Sequence, residues 1–146
     1  MGQQQLLLVI LVTIIVGIAT VVAINTFSSA AEGANLDAVR QDVANIAASA
    51  QGYYIKPTML GGGGNTFTGL TFNNITFAAD SVIAAGLTGI NTNGRYQLTV
   101  AAQTITVTAY PASLDGNAGG LAGGAYLEGT VTPNGLAWTN GAAPIQ

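Results

Sequence analysis

Side chains that commonly do chemistry in enzymes and metal sites are scarce in this sequence. It contains no cysteine and no histidine, which excludes thiolate or imidazole zinc sites, haem ligation, cysteine nucleophiles and serine–histidine–aspartate triads. The six carboxylates are scattered over three regions of the chain: Glu32, Asp37, Asp42, Asp80, Asp115 and Glu128. A pair of carboxylates placed for acid–base catalysis would therefore be a coincidence. We expect no catalytic site and no cofactor.

Three further patterns could bind a ligand or carry a modification. Asp115, Asn117 and Glu128 could gather oxygens for calcium, but calcium takes about six to eight oxygens and this glycine-rich spacing matches no calcium loop, so a solvated loop is the simpler interpretation. Asn74 begins an Asn-Ile-Thr acceptor pattern for N-linked sugar, a short pattern that is often unused. The four glycines at residues 61–64 lack the following lysine of a phosphate loop and predict a tight loop or flexible hinge.

Charge is sparse, with six acidic residues against three basic residues and a formal net charge of −3. No basic patch is present, so we predict no nucleic-acid binding. Threonine, asparagine, serine, glutamine and glycine supply the polar surface instead, a composition that favours an extracellular protein. The 146 residues leave room for one long helix and one compact domain of about a hundred residues.

Residues 6–24 form the most distinctive stretch of the chain, because they carry no charge and no polar side chain except two threonines. A helix rises about 1.5 Å per residue, so this stretch matches the roughly 30 Å hydrocarbon core of a bilayer. It is apolar on every side and must be surrounded by lipid or by other protein. Residues 1–5 form a short leader without lysine or arginine. A signal peptide removed near residues 28–30 stays open as an alternative.

The helical pattern continues through residues 25–56, where it becomes amphipathic. One face carries an apolar stripe at helical spacing: Val39, Val43, Ile46, Ala47, Ala50 and then Tyr53 or Tyr54. The opposite face carries polar residues: Asp37, Arg40, Gln41, Asp42 and Asn45. Asp37 and Arg40 are three apart and can pair. Lys56 precedes a proline, which ends the helix.

Residues 57–146 predict a β-rich domain. Apolar residues at 67–77 are spaced to cover a neighbouring surface: Phe67, Leu70, Phe72, Ile75 and Phe77. Asp80 is placed to cap a short helix over residues 81–85, closed by Gly86. Strict alternation over residues 96–100 and 104–109 predicts an antiparallel hairpin. A second hairpin joins residues 126–132 to 136–138 through a Pro-Asn-Gly turn.

The apolar face of this sheet needs a cover, and the amphipathic half of the helix is the element available to provide it. The predicted fold class is α+β: a long N-terminal α-helix, apolar in its first half and amphipathic in its second, packed on a small C-terminal antiparallel β-sheet domain. The predicted organisation is a leader at 1–5, an apolar half-helix at 6–24, an amphipathic half-helix at 25–56 and the domain at 57–146.

This layout, with a leader ending at Gly2 and an apolar helix directly after it, resembles type IV pilins and pseudopilins. The resemblance implies that a prepilin peptidase cuts between Gly2 and Gln3. It also implies that the subunit waits in the inner membrane until pilus assembly machinery packs its helix into an extracellular filament. The sequence departs from that family at Leu7, where the resemblance would place a glutamate, and in having no basic residue in the leader and no proline in the apolar run. Gln3, Gln4 and Gln5 could offer hydrogen bonds in place of the missing carboxylate.

We therefore expect a structural, major pilin-like subunit that polymerises with copies of itself. The expected filament core comprises residues of the apolar run: Leu6, Leu7, Ile10, Ile14, Gly17, Ile18 and Val21. Gly17, Ala19 and Ala23 are small enough to let helices approach closely. Two alternatives are a pseudopilin of a secretion or DNA-uptake machine, and a single-pass membrane-anchored module that uses its sheet for adhesion.

Overall fold

The computed structural model of the chain describes residues 2–114 and 126–139. It begins with one long α-helix, α1 (Gly2–Ile55), which ends one residue before the predicted end. Helical hydrogen bonding continues unbroken through Gly17 and Gly33, two positions of low helix propensity. The chain forms two compact units, Met1–Ala34 and Asn35–Gln146.

The second unit contains a six-stranded antiparallel sheet. The strands are β1 (Ser81–Ile83), β2 (Thr88–Ile90), β3 (Gly94–Val100), β4 (Ile105–Pro111), β5 (Leu127–Thr132) and β6 (Gly135–Thr139). Their order in the sheet is their order in the chain, so each strand pairs with its sequence neighbours. Short 3₁₀ turns lie at Thr58–Leu60, Ala84–Gly86 and Ala112–Leu114. Both predicted hairpins are present, as β3–β4 and β5–β6.

The second half of α1 packs against one face of this sheet and confirms the predicted α+β fold. Six helix residues are buried and form the core stripe: Val39, Val43, Ile46, Ala47, Ala50 and Tyr53. They are the residues that helical spacing predicts, with Tyr53 rather than Tyr54 as the last member. The Asp37–Arg40 ion pair is also present, at 3.0 Å on the exposed face.

The facing side of the sheet follows the alternation of its strands. Tyr96 lies opposite Ala109, which lies opposite Leu127, and all three are buried. Gly129 in β5 leaves room for a side chain of the neighbouring strand, because a Cβ built there would lie 2.9 Å from Leu136 Cδ1. The helix side chain Val43 would be in ordinary contact, with its Cγ1 at 3.5 Å. Phe67, Leu70 and Phe72 complete the core, with Ile75 and Phe77 packed at its margin as predicted. Apolar burial from one helix, one sheet and one loop thus makes a single core.

The glycine-rich stretch after α1 is a tight loop, which decides between the two predicted alternatives. The Gly63 N–H donates to the Tyr53 carbonyl at 2.8 Å, and the Gly64 N–H donates to the Lys56 carbonyl at 3.0 Å. The Asn65 N–H reaches the Tyr54 carbonyl at 2.9 Å. These donors satisfy carbonyl groups that would otherwise be unpaired at the end of the helix.

The short helix predicted over residues 81–85 is wrong. Ser81 to Ile83 form β1, which pairs with β2 in the register Ser81 with Ile90 and Ile83 with Thr88. The backbone N–H of Asp80 donates to the Ile90 carbonyl at 2.8 Å, so Asp80 leads into a strand rather than capping a helix. The β-branched pair Val82 and Ile83 suits a strand, and pairing with a distant segment outweighs the local capping signal.

Candidate functional site

The most unusual surface in the described chain is the apolar segment, residues 6–24 of α1. Its large side chains are each between 48 % and 67 % exposed, from Leu6 through Ile24. The predicted filament-core residues belong to this set or, at Gly17, lie within it: Leu6, Leu7, Ile10, Ile14, Gly17, Ile18 and Val21. Soluble monomers rarely expose a continuous apolar surface of this size, so the segment needs a cover.

Length and composition show what that cover can be. Among the described residues, α1 is one helix that is long and apolar enough to cross a membrane. Its polar side chains add little demand for hydrogen bonds, because the Thr13 hydroxyl donates to the Val9 carbonyl and the Thr20 hydroxyl donates to the Val16 carbonyl, each at 2.7 Å. The segment can therefore enter lipid or a protein core without leaving a hydroxyl proton unpaired.

Gly17 lies in the middle of the apolar segment, and its missing side chain leaves a small gap on the helix surface. A Cβ built at this position meets no atom of the chain within 4 Å. The glycine is therefore not required by packing within the subunit. Small residues at helix surfaces are the positions at which a second helix can approach most closely.

The predicted processing site lies in the first turn of α1. Gly2 and Gln3 are both helical and exposed, and no acidic residue lies in this turn. Cleavage between Gly2 and Gln3 stays a prediction.

A second feature is a polar cluster between α1 and the β2–β3 turn, which we call the Asp42 cluster: Asp42, Asn91, Asn93 and Tyr96. Oδ2 of Asp42 accepts three hydrogen bonds, from Asn91 Nδ2 at 2.9 Å, Asn93 Nδ2 at 2.8 Å and Tyr96 OH at 2.7 Å. Oδ1 of Asn91 in turn accepts the backbone N–H groups of Asn93 and Gly94, which fixes the turn. One helix carboxylate thus organises the start of β3.

The same hydrogen bonds set the ionisation of the cluster. Burial alone would raise the pKa of Asp42, but the hydrogen bonds from Asn93, Tyr96 and Asn91 together outweigh it and hold that pKa below its usual value. Burial, helped by the hydrogen bond to the Asp42 carboxylate and by its charge, raises the pKa of Tyr96 far above that of a free tyrosine. Asp42 is therefore a carboxylate at neutral pH and Tyr96 is a neutral donor.

Sequence reasoning placed Asp42 on the solvent-facing side of α1, and that placement is wrong. Asp42 lies beside the core stripe, one residue before the buried Val43, and its side chain is half-buried. Its partners are 49 to 54 residues away in the chain, so no local spacing reveals them. The one available signal is the pair Asn91 and Asn93 next to Gly94, which marks a turn but not what the turn contacts.

Other polar contacts fasten α1 to the rest of the second unit along its length. Asn35 Nδ2 donates to the Asn93 carbonyl at 2.9 Å, and Gln51 Nε2 donates to the Thr132 carbonyl at 3.1 Å. The Tyr54 hydroxyl donates to Oε1 of Gln103 at 2.9 Å, and its ring lies 4.8 Å from that of Phe67. The aromatic pair Tyr53 and Tyr54 therefore packs at the junction of helix and domain.

The weaker candidate sites fare differently. Asp115 and Asn117 lie outside the described residues, while Glu128 is half-buried in β5 between Thr108 and Thr139. Within residues 2–114 and 126–139, no group of three or more acidic side chains could hold a metal ion. Asn74 is exposed in a turn, where its Nδ2 donates to the Gly69 carbonyl at 3.1 Å, and its glycosylation stays a prediction.

No protein-family model matches this chain, and no curated protein or solved structure is significantly similar to it.

Proposed function

We propose that this protein is the structural subunit of an extracellular helical filament, resembling a major pilin, and that it polymerises through the apolar segment of α1. The observation that carries the proposal is the composition of α1 along its length. Residues 6–24 are apolar and exposed on every side, and the same unbroken helix continues into the core stripe of the domain. The proposed role includes no catalytic step, no cofactor and no nucleic acid.

The continuation of α1 favours a filament subunit over a plain anchor. An anchor needs only about 20 apolar residues to span a bilayer. Here the helix runs from Gly2 to Ile55 and supplies six core residues to the domain. A subunit whose helix serves first in lipid and then in a bundle of copies needs this direct covalent continuity between the assembling surface and the displayed domain.

In the proposed pathway the precursor resides in the membrane, and the partners are membrane lipid first and other copies of the chain afterwards. By resemblance, a prepilin peptidase removes Met1 and Gly2, and assembly machinery extracts the subunit into a cell-surface filament. Lipid contacts are replaced by packing between helices, since the apolar surface is equally satisfied by either surrounding. Close approach at Gly17, Ala19 and Ala23 would then distinguish the packed state from the lipid-dissolved state.

Electron microscopy of material sheared from expressing cells tests the proposal, using two substitutions. Val16→Asp places a charge in the apolar segment, and we expect it to abolish filaments. Gly17→Leu keeps the segment apolar and meets no atom within the subunit, so membrane insertion and the domain fold should persist while filaments are lost. Val16→Leu is the matched control, because it adds bulk without removing a small residue, and it should assemble.

The same images separate the alternatives. Short assemblies confined to the cell envelope would identify a pseudopilin, whereas monomers in detergent and no filaments would identify an anchored surface module. Normal filaments from Val16→Asp would refute assembly through the apolar segment.

A further inference from the structure

An open groove of about 500 Å³ lies beside α1 within the second unit. It is bounded by the helix, the loop at residues 76–80 and the β2–β3 turn. Its hydrogen-bonding groups include Asp42, Asn45, Asp80, Thr92 and Asn93, and it has two carboxylates and no basic side chain in its lining. We call it the acidic groove.

The groove carries negative charge from the carboxylates of Asp42 and Asp80. One N–H of each Nδ2 group of Asn91 and Asn93 is donated to Oδ2 of Asp42. Within the described part of the chain, no ion pair or side-chain hydrogen bond engages Oδ1 of Asp42 or the carboxylate of the exposed Asp80. These unpaired carboxylate oxygens give the groove negative charge, so the complementary occupant is a cationic donor.

The chain has three basic side chains, and only one has the properties of such a donor. Arg40 is paired with Asp37 at 3.0 Å, and Arg95 is half-buried in β3 with its Nε out of solvent. Lys56 is exposed at the end of α1 and forms no ion pair with any side chain in residues 2–114 and 126–139. Its backbone is held on both sides, by a bond from its N–H to the Gly52 carbonyl and by the bond that its carbonyl accepts from Gly64. The backbone of Lys56 is therefore held in place, while its charged side chain is exposed.

We propose that Lys56 of one subunit enters the acidic groove of a neighbouring copy and pairs with Asp80 and Asp42. This inference rests on the proposed function, because it requires that copies assemble. The contact joins two different surfaces, so it is heterologous. Repeated head to tail, such a contact generates a closed ring or an open helical polymer, and the open polymer is the form that the proposed filament requires. Apolar helix packing supplies attraction, and the charge contact adds a preference for which way each subunit faces.

Charge exchange tests the contact in cells that assemble the full-length protein. Lys56→Glu and Asp80→Lys are each expected to lower the mass of sheared filaments, at equal subunit expression, roughly tenfold, the factor expected for loss of one close interfacial pair. The double variant Lys56→Glu with Asp80→Lys restores opposite charges and should recover most of the wild-type mass. The matched control is Lys56→Glu with Asp37→Lys, which has the same net charge but places the new lysine outside the groove.

Recovery in the first double variant alone supports the contact. Wild-type filament mass from Lys56→Glu, or equal behaviour of the two double variants, overturns it. Absence of filaments from the wild-type chain would overturn the proposed function and this contact with it, whereas the preceding outcomes overturn the contact alone. Circular dichroism of each variant in detergent checks that the domain is folded. We expect it to be, since Asp37, Lys56 and Asp80 are all exposed and outside the core.

Discussion

Removing the carboxylate of the Asp42 cluster should destabilise the domain more than a typical change at a half-exposed position. Asp42→Ala leaves three donors without their acceptor, at distances of 2.7 to 2.9 Å in the wild type. The Tyr96 hydroxyl belongs to a fully buried residue, so losing its partner costs about 2 kcal/mol. Asn91 and Asn93 are half-buried and can bond water instead, at about 0.5 kcal/mol each. The expected loss in the free energy of unfolding is therefore about 3 kcal/mol.

Three further variants identify where this energy comes from. Tyr96→Phe removes a single donor and should cost about 1 to 2 kcal/mol. The double variant Asp42→Ala with Tyr96→Phe should lose about 1 kcal/mol less stability than the two single variants together, because both substitutions remove the same hydrogen bond. Asp42→Asn keeps an acceptor of the same shape without the charge, and should cost about 1 kcal/mol.

Equilibrium unfolding in urea measures these differences on the full chain in a mild detergent. Trp138 is the single tryptophan and lies in β6, so its fluorescence reports on the sheet. A loss below about 0.5 kcal/mol for Asp42→Ala would show that water replaces the cluster without penalty. Full additivity of Asp42→Ala and Tyr96→Phe would equally refute the reasoning, since the two side chains would then act independently.

The pH dependence provides an independent check on the same carboxylate. Its pKa is lowered in the folded state, so its stabilising contribution is complete above the pKa of an unfolded aspartate, about 3.9. As pH falls below about 4 and through the lower folded pKa, this contribution should be lost. The difference in unfolding free energy between the wild type and Asp42→Asn should therefore shrink on acidification, and a constant difference from pH 7 to pH 3 would contradict the assignment.

Two backbone predictions use the same unfolding assay. Gly63→Ala should destabilise the domain by about 2 to 4 kcal/mol, because the new Cβ would overlap the Thr66 carbonyl oxygen. The control Gly52→Ala, where a Cβ meets nothing within 4 Å, should be neutral or stabilising by up to about 1 kcal/mol. Equal effects of the two substitutions would refute the tight loop. Ala85→Gly should stabilise the domain by about 0.5 to 1 kcal/mol, because Ala85 has a left-handed φ of 57°. The same change at Ala48, which is exposed and helical, should destabilise it by a similar amount. A loss of stability in both variants would refute strain at Ala85.

Long, strongly periodic segments were predictable from sequence. The spacing from Val39 to Tyr53 predicted the core stripe, and alternation predicted both hairpins, because each pattern is repeated over several residues and reflects one buried face. The exposed apolar segment was predictable in the same way. These features follow from the local order of apolar and polar residues.

Features that depend on distant partners were not predictable. Strand β1 has three residues and follows an aspartate, so its local sequence favours a capped helix until β2 pairs with it. Asp42 lies at the edge of the core stripe, where a side chain can be either exposed or half-buried. Which of the two it is depends on its contact with the β2–β3 turn. The acidic groove likewise depends on three segments that are separate in the chain.

The meander order of the strands has a consequence for how the chain folds. Four of the five strand connections lie wholly within the described residues, and each closes a loop of only two to four residues, so these hairpins can form as soon as their sequences are available. Docking α1 is different, since the bond from Gln51 to Thr132 joins groups 81 residues apart. Docking α1 therefore closes a far longer loop than any of these hairpins does. The helix, although made before the strands at the ribosome, completes its contacts only when the end of β5 exists.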